Sequence, residues 1–151
     1  MMKKVLPFRI DSVEVFPGGE IMTIAKIAII LVHAFIGWAL CFATIGIGRA
    51  ITTMQTTLIV HAILAPVFFA AVSLVYFRRF NYTSPLQTAI IFTAFVIGMD
   101  FFVVAMLINR SFEMFTSLLG TWIPFGLIFV STWLTGFLVE SQRAKQSASS
   151  G

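Results

Sequence analysis

The sequence predicts an all-α integral membrane protein in which four antiparallel transmembrane helices form a bundle. The 151 residues have a mean hydropathy of +0.99 and are 59% hydrophobic. Charged residues make up 11% of the chain, against about 25% in soluble domains. The apolar residues form four long stretches, each able to cross about 30 Å of hydrocarbon. A water-soluble core of this size cannot bury so much apolar surface, so lipid must be part of the solvent.

The four predicted spans cover residues 22–48, 53–77, 85–108 and 112–139. The connections between them are short, so consecutive helices are expected to be antiparallel neighbours. Pro85 is expected in the first turn of the third helix, where its missing N–H costs nothing. The predicted transmembrane domain is 21–140, after a cytoplasmic or interfacial N-terminal segment, 1–20. Residues 141–151 are polar and rich in serine, which is typical of a disordered cytoplasmic tail.

The distribution of Lys and Arg predicts the orientation, because short loops rich in positive charge stay in the cytoplasm. The N-terminal segment, the second loop with Arg78 and Arg79, and the tail fall on one side. Arg49 and Arg110 fall on the other side, where they are expected to anchor the outer interface. The predicted location is the inner (plasma) membrane of a prokaryotic cell, with several spans and both termini cytoplasmic.

A weak internal repeat is compatible with two duplicated helical hairpins, which are common in transporters. The alternative is chance, because Ile, Ala and Gly recur in any membrane helix. At one constant offset, Ala28-Ile29-Ile30 recurs as Ala89-Ile90-Ile91, Gly37 as Gly98, and Ile47 with Arg49 as Ile108 with Arg110.

Each predicted helix carries its small and polar side chains on one face, at about 100° per residue. Such faces are expected to converge on the centre of the bundle. Packing alone explains the Gly, Ser and Thr members, because small and hydroxyl residues line helix contacts in membranes. The faces hold Lys26, His33, Gly37 and Cys41 in the first span, Thr57 and His61 in the second, Thr93 and Asp100 in the third, and Glu113, Ser117 and Gly120 in the fourth.

Asp100 is the most unusual residue, because a carboxylate within a bilayer is costly unless it is protonated, paired or hydrated. Counted from the outer loops, Glu113 comes first, His61 and Asp100 follow at similar depth, and His33 lies deeper. The predicted ligand- or proton-binding residues are Asp100, His61, His33, Glu113 and Thr93.

The first functional hypothesis is the binding or translocation of a proton, a cation or a small polar solute at a polar site in the outer half of the bundle. An aspartate near a histidine can exchange a proton near neutral pH. Pro66 and Pro124 free backbone carbonyls in their spans, and these carbonyls could line a hydrated cavity.

The second hypothesis is a non-catalytic membrane scaffold or accessory subunit, in which Asp100 makes a structural bond that fixes the helix register. Assembly as a homo-oligomer fits either hypothesis, since four helices enclose little volume.

The third hypothesis is a haem- or metal-binding membrane redox protein. His33 and His61 would hold a haem between two helices, or His61 and Asp100 a divalent metal. The predicted depths of the two histidines differ by roughly 6 Å, which strains a shared iron.

The sequence disfavours other functional classes, namely enzymes and nucleic-acid-binding proteins. No catalytic motif for soluble chemistry appears, so an enzyme is less expected than a binding protein. The ten Lys and Arg residues are spread over short loops and form no basic stripe for nucleic acid. The single cysteine, Cys41, cannot close an intramolecular disulfide.

Overall fold

The computed structural model describes residues 23–149, so the predicted N-terminal segment 1–20 and the last two residues lie outside the described part. Within that part, all regular secondary structure is helical and no strand occurs. The α-helices are α1 (Ile24–Ile51), α2 (Met54–Arg79), α3 (Pro85–Met99) and α4 (Ile123–Ser149). A π-helical segment, Asp100–Asn109, continues α3, and a 3₁₀ turn, Glu113–Thr116, and a π-helical turn, Leu118–Trp122, precede α4. The predicted all-α class is confirmed.

Four helices are long and apolar enough to cross a membrane: Ile24–Ile51, Met54–Arg79, Pro85–Asn109 and Leu118–Ser149. Large apolar side chains on each of them point away from the bundle. A soluble protein of this size does not expose so much apolar surface. The exposed set includes Val32, Phe35, Ile63, Val67, Ile90, Phe102, Leu134, Phe137 and Leu138.

The fourth span differs from its predicted bounds of 112–139. The chain breaks at Ser117, whose hydroxyl accepts the Gly120 N–H at 3.0 Å, and α4 begins next to Pro124, which lacks an N–H and suits a helix start. At its other end α4 continues through Ser149, where the sequence predicted a disordered tail from 141. Arg143 donates to the carbonyl oxygens of Phe77 at 2.7 Å and Arg78 at 3.2 Å, which holds this extension against the end of α2.

The helices follow the order α1, α2, α4, α3 around the bundle, because α2 packs on α1 and α4, and α3 packs on α4 and α1. Within each hairpin, α1–α2 and α3–α4, the two helices pack on each other. The origin of the two hairpins by duplication stays a prediction. The centre is filled by aromatic side chains. The Phe92 ring of α3 meets Phe69 at 6.0 Å and Tyr76 at 6.1 Å between centroids, across the diagonal to α2, and all three side chains are fully buried.

Glycines allow close approach of helices, and Gly37 and Gly136 do so in the aromatic core. A Cβ at Gly37 of α1 would lie 2.7 Å from the Phe69 ring, and one at Gly136 of α4 would lie 2.6 Å from the Phe77 ring and 2.8 Å from Pro85. These separations are shorter than van der Waals contact, so α2 sits against glycine backbone on both sides.

The α2–α3 connection is held by local hydrogen bonds. Asn81 adopts a left-handed conformation with φ of 49°, which asparagine tolerates better than most residues. The Thr83 hydroxyl lies 2.8 Å from both the Tyr76 and the Thr88 hydroxyls. Ser84 caps α3 in a capping box with Gln87, and Pro85 is in the first turn as predicted.

The two ends of the bundle carry different charges. The end where α1 and the π-helical segment finish, called the Arg49 end, holds Arg49, Arg110 and Glu113. The opposite end, called the Arg143 end, holds Arg78 and Arg79 in the last turn of α2 and Arg143 against that turn. It also holds Lys26, whose ammonium lies 5.3 Å from the centre of the Tyr82 ring.

Candidate functional site

A cavity of about 570 Å³ occupies the half of the bundle nearest the Arg49 end. We call it the central cavity, because all four helices contribute to its wall. It extends from the middle of the bundle to exposed residues of the α3–α4 connection. Its lining includes Trp38, Cys41, Phe42, Arg49, Leu58, His61, Val96, Asp100, Asn109, Glu113, Thr121, Pro124, Phe125 and Ile128.

Asp100 lies at the inner end of the central cavity and is fixed by a tryptophan. The Trp38 indole N–H donates to Asp100 Oδ1 at 2.8 Å, joining α1 to the first residue of the π-helical segment. Trp38 is 7% exposed. A hydrogen bond to an ionised carboxylate is stronger than one between neutral groups. The single bond from Trp38 still leaves the Asp100 carboxylate able to accept further hydrogen bonds, since it has two oxygens.

His61 contributes a polar atom without a protein partner. The side chain lines the cavity from α2 and is 8% exposed. Its Nδ1 is buried, and within residues 23–149 it makes no hydrogen bond. A buried polar atom of this kind costs free energy unless something pairs with it. The sequence placed Asp100 beside His61, and both line one cavity, but the hydrogen-bond partner of Asp100 is Trp38.

The outer boundary of the cavity is polar and exposed. Arg49 reaches it from the last turn of α1, and Asn109 and Glu113 reach it from the α3–α4 connection. Arg110, the other predicted anchor, follows directly with φ of 50° and is exposed outside the cavity lining. The adjoining Ser111 N–H donates to the Ala105 carbonyl at 3.1 Å, which closes the π-helical segment.

Irregular helix borders the cavity on two sides. The π-helical segment supplies Asp100 and Asn109, and the turn Leu118–Trp122 supplies Thr121, beside Pro124 at the start of α4. Within membranes, departures from regular α-helix are tolerated where the backbone is buried in protein or faces a cavity, and π-helical turns are frequent at functional sites. Pro66 of α2 is not part of the lining.

His33 lies apart from this site. Its Nδ1 donates to the Ile29 carbonyl at 2.8 Å, and its ring contacts Tyr76 at 5.6 Å and Phe80 at 5.3 Å between centroids. Tyr76 is about four turns along α2 from His61. The predicted series of ionisable groups is therefore divided into Glu113, His61 and Asp100 in the cavity, and His33 near the Arg143 end.

Thr93 is also outside the cavity lining. Its hydroxyl oxygen is buried and makes no hydrogen bond within the described part of the chain. The cavity and Thr93 are thus separate features of α3.

The arrangement does not assemble a metal or haem centre from the predicted ligands. In residues 23–149 no three His, Cys, Asp or Glu side chains come close enough to hold a metal ion. His33 and His61 are not brought together, so they do not form the pair that a haem between two histidines needs. A divalent ion on His61 and Asp100 would need most of its ligands from elsewhere.

Trp38 is the site residue that sequence reasoning missed. It lies one residue beyond Gly37, off the polar stripe assigned to α1, and an indole counts as apolar in a periodicity argument. A usable signal was present, because a tryptophan in the middle of a span, away from the interfacial belts, needs a partner for its N–H when buried.

Trp38→Phe is expected to lower the free energy of unfolding by about 1 kcal/mol, because Asp100 loses its donor. Trp133→Phe is the matched control, since the Trp133 side chain is 42% exposed on α4. Equilibrium unfolding of both variants by SDS in mixed micelles makes the comparison. Equal changes in the two variants would contradict a stabilising Trp38–Asp100 bond.

Comparison of the chain with protein-family models, with curated proteins and with solved structures finds no match in any of the three. The function therefore has to be argued from the cavity itself.

Proposed function

We propose that this chain is a small polytopic membrane protein that binds a small solute or ion, a proton, a cation or a polar molecule, in the central cavity. The observation that carries the proposal is the convergence of Asp100, His61 and Glu113 on one cavity within the apolar bundle. Ionisable residues inside spans are costly, and they commonly mark substrate or ion sites.

We also propose that the helices cross the inner membrane of a prokaryotic cell antiparallel, with both termini in the cytoplasm. Antiparallel packing of α1 and α2 is supported by two contacts, since Gly37 meets Phe69 and Gly48 meets Thr57. The gathering of Arg78, Arg79 and Arg143 at one end supports a cytoplasmic Arg143 end. The central cavity would then open toward the outer face.

Binding is better supported than free passage through the bundle. Between the cavity and the Arg143 end the core is closely packed, with Phe69 and Phe92 fully buried and in ring contact. Ala34 of α1 and Ala65 of α2 are also fully buried. A solute would enter from the Arg49 end, and translocation would require these helices to separate.

The test is a thermal-shift screen of the purified full chain against monovalent and divalent metal chlorides, organic amines, neutral polar solutes and organic acids. A ligand that binds only the folded state raises the midpoint in proportion to the logarithm of its concentration. We expect at least one cationic class to stabilise the wild type and not Asp100→Asn. The proposal fails if no class stabilises the wild type, or if every class affects both proteins equally.

The scaffold hypothesis is the second candidate, and the Trp38–Asp100 hydrogen bond favours it. In that role Asp100 would only fix α1 against the π-helical segment. Asparagine at this position keeps an acceptor for the indole N–H and removes the charge. A scaffold role predicts that Asp100→Asn changes neither stability nor any response to solutes.

A further inference from the structure

The walls of the central cavity select for an organic ligand. A volume of about 570 Å³ is within the range of roughly 300–1,000 Å³ that holds small organic molecules. Most of the wall is apolar or aromatic, with Phe42, Leu58, Val96, Phe125 and Ile128 among its members. An inorganic ion at Asp100 would leave this wall facing water, whereas a molecule with an apolar body would cover it.

The charges of the cavity favour a cationic head group. The charged side chains of the lining are Asp100, Glu113 and Arg49. Glu113 and Arg49 are both exposed at the outer boundary, where they oppose each other in sign and are screened by solvent. Asp100 is the charged residue at the inner end, so a cation is attracted there and an anion is repelled.

Asp100 narrows the head group to one with N–H donors. Its carboxylate accepts one hydrogen bond from Trp38 and, with two oxygens, can accept more. A primary ammonium carries three N–H donors and can supply a charge-assisted hydrogen bond to this carboxylate. A quaternary ammonium has no N–H and offers its charge alone.

From these observations we propose that the central cavity binds a primary ammonium with an apolar, ring-sized body. The ammonium donates to Asp100, and the body lies against Phe42, Phe125 and their apolar neighbours. This inference rests on the proposed binding function and adds the chemical class of the ligand.

The experiment is isothermal titration of the full chain in detergent with three probes that share one body. Phenethylammonium carries the cationic head, phenethyl alcohol a neutral head and phenylpropionate an anionic head. We expect phenethylammonium to bind at least tenfold more tightly than the alcohol, and phenylpropionate not to saturate. Phenethyltrimethylammonium is expected to bind several-fold more weakly than the primary amine.

Two variants locate the head group. Asp100→Asn is expected to weaken phenethylammonium at least tenfold and to leave the alcohol unchanged, since only the charge is removed. Glu140→Gln is the control for a carboxylate outside the cavity lining, with an expected change of less than threefold.

The outcomes separate this inference from the function on which it rests. If potassium or a divalent cation binds through Asp100 and phenethylammonium does not, the ligand class is wrong and solute binding stands. If the alcohol binds the wild type as tightly as the amine, the ammonium assignment is wrong. If none of the probes and none of the metal chlorides binds, both proposals fail.

Discussion

Replacement of Asp100 by leucine is expected to abolish cation binding in the central cavity, with a loss of affinity of more than about a hundredfold. The variant removes the negative charge and both carboxylate oxygens at residue 100, and a hundredfold loss of affinity corresponds to roughly 3 kcal/mol of binding free energy. It also leaves the Trp38 N–H without the acceptor that it has at 2.8 Å. Two effects of opposite sign therefore act on the stability of Asp100→Leu. The unpaired indole N–H lowers the free energy of unfolding, and the removal of a buried carboxylate raises it.

A double-mutant cycle separates the two roles of Asp100. Trp38→Phe combined with Asp100→Leu removes both partners, so neither is left unpaired. We expect the double variant to be about 1 kcal/mol more stable than the sum of the single changes predicts, while binding remains lost. Unfolding by SDS and titration with phenethylammonium on all four proteins measure the two effects. Strictly additive stabilities, or binding restored in the double variant, would contradict this account.

Gly136→Leu is expected to lower the free energy of unfolding by about 3 kcal/mol or to prevent folding. A Cβ at this position would lie 2.6 Å from the Phe77 ring and 2.8 Å from Pro85. Phe77 is fully buried and packed edge-on against Tyr76, so it has no open space into which to move. Relief would require α4 to shift away from both α2 and α3.

The matched control is Gly126→Leu on the same helix, where an added Cβ meets nothing within 4 Å. Both variants replace glycine by leucine, so both change helix propensity by the same amount. The difference between their free energies of unfolding therefore reports the packing at Gly136. We expect Gly126→Leu to stay within about 1 kcal/mol of the wild type. SDS unfolding of the two variants side by side gives the difference, and similar values for both would show that α4 accommodates side chains at Gly136.

The sequence by itself determined the class of protein and most of the helix bounds. Long apolar runs separated by short polar loops leave little freedom, since backbone polar groups in lipid must be paired within helices. The start of α3 at Pro85 followed from its missing N–H. The sequence also singled out Asp100, because a carboxylate in an apolar run contradicts its surroundings whatever the fold.

Only the tertiary structure decided which side chains meet. Helical periodicity places His33 and Asp100 on polar faces, but it gives neither the rotation nor the vertical offset of one helix against another. Close approach at Gly37 and Gly136 and the aromatic packing around Phe92 set those offsets. They bring Trp38 to Asp100 and leave His33 beside Tyr76.

The break in the chain before α4 was likewise decided by local geometry and by tertiary structure. Hydropathy continues smoothly from residue 112, but the hydroxyl cap of Ser117 and the proline at 124 redirect the chain. The two turns on either side of Ser117 carry Glu113 and Thr121 to the central cavity. Composition thus predicts four helices long and apolar enough to cross a membrane. Contacts between residues distant in sequence decide that Asp100 and His61 line the same cavity, because such contacts leave no periodic trace in the chain.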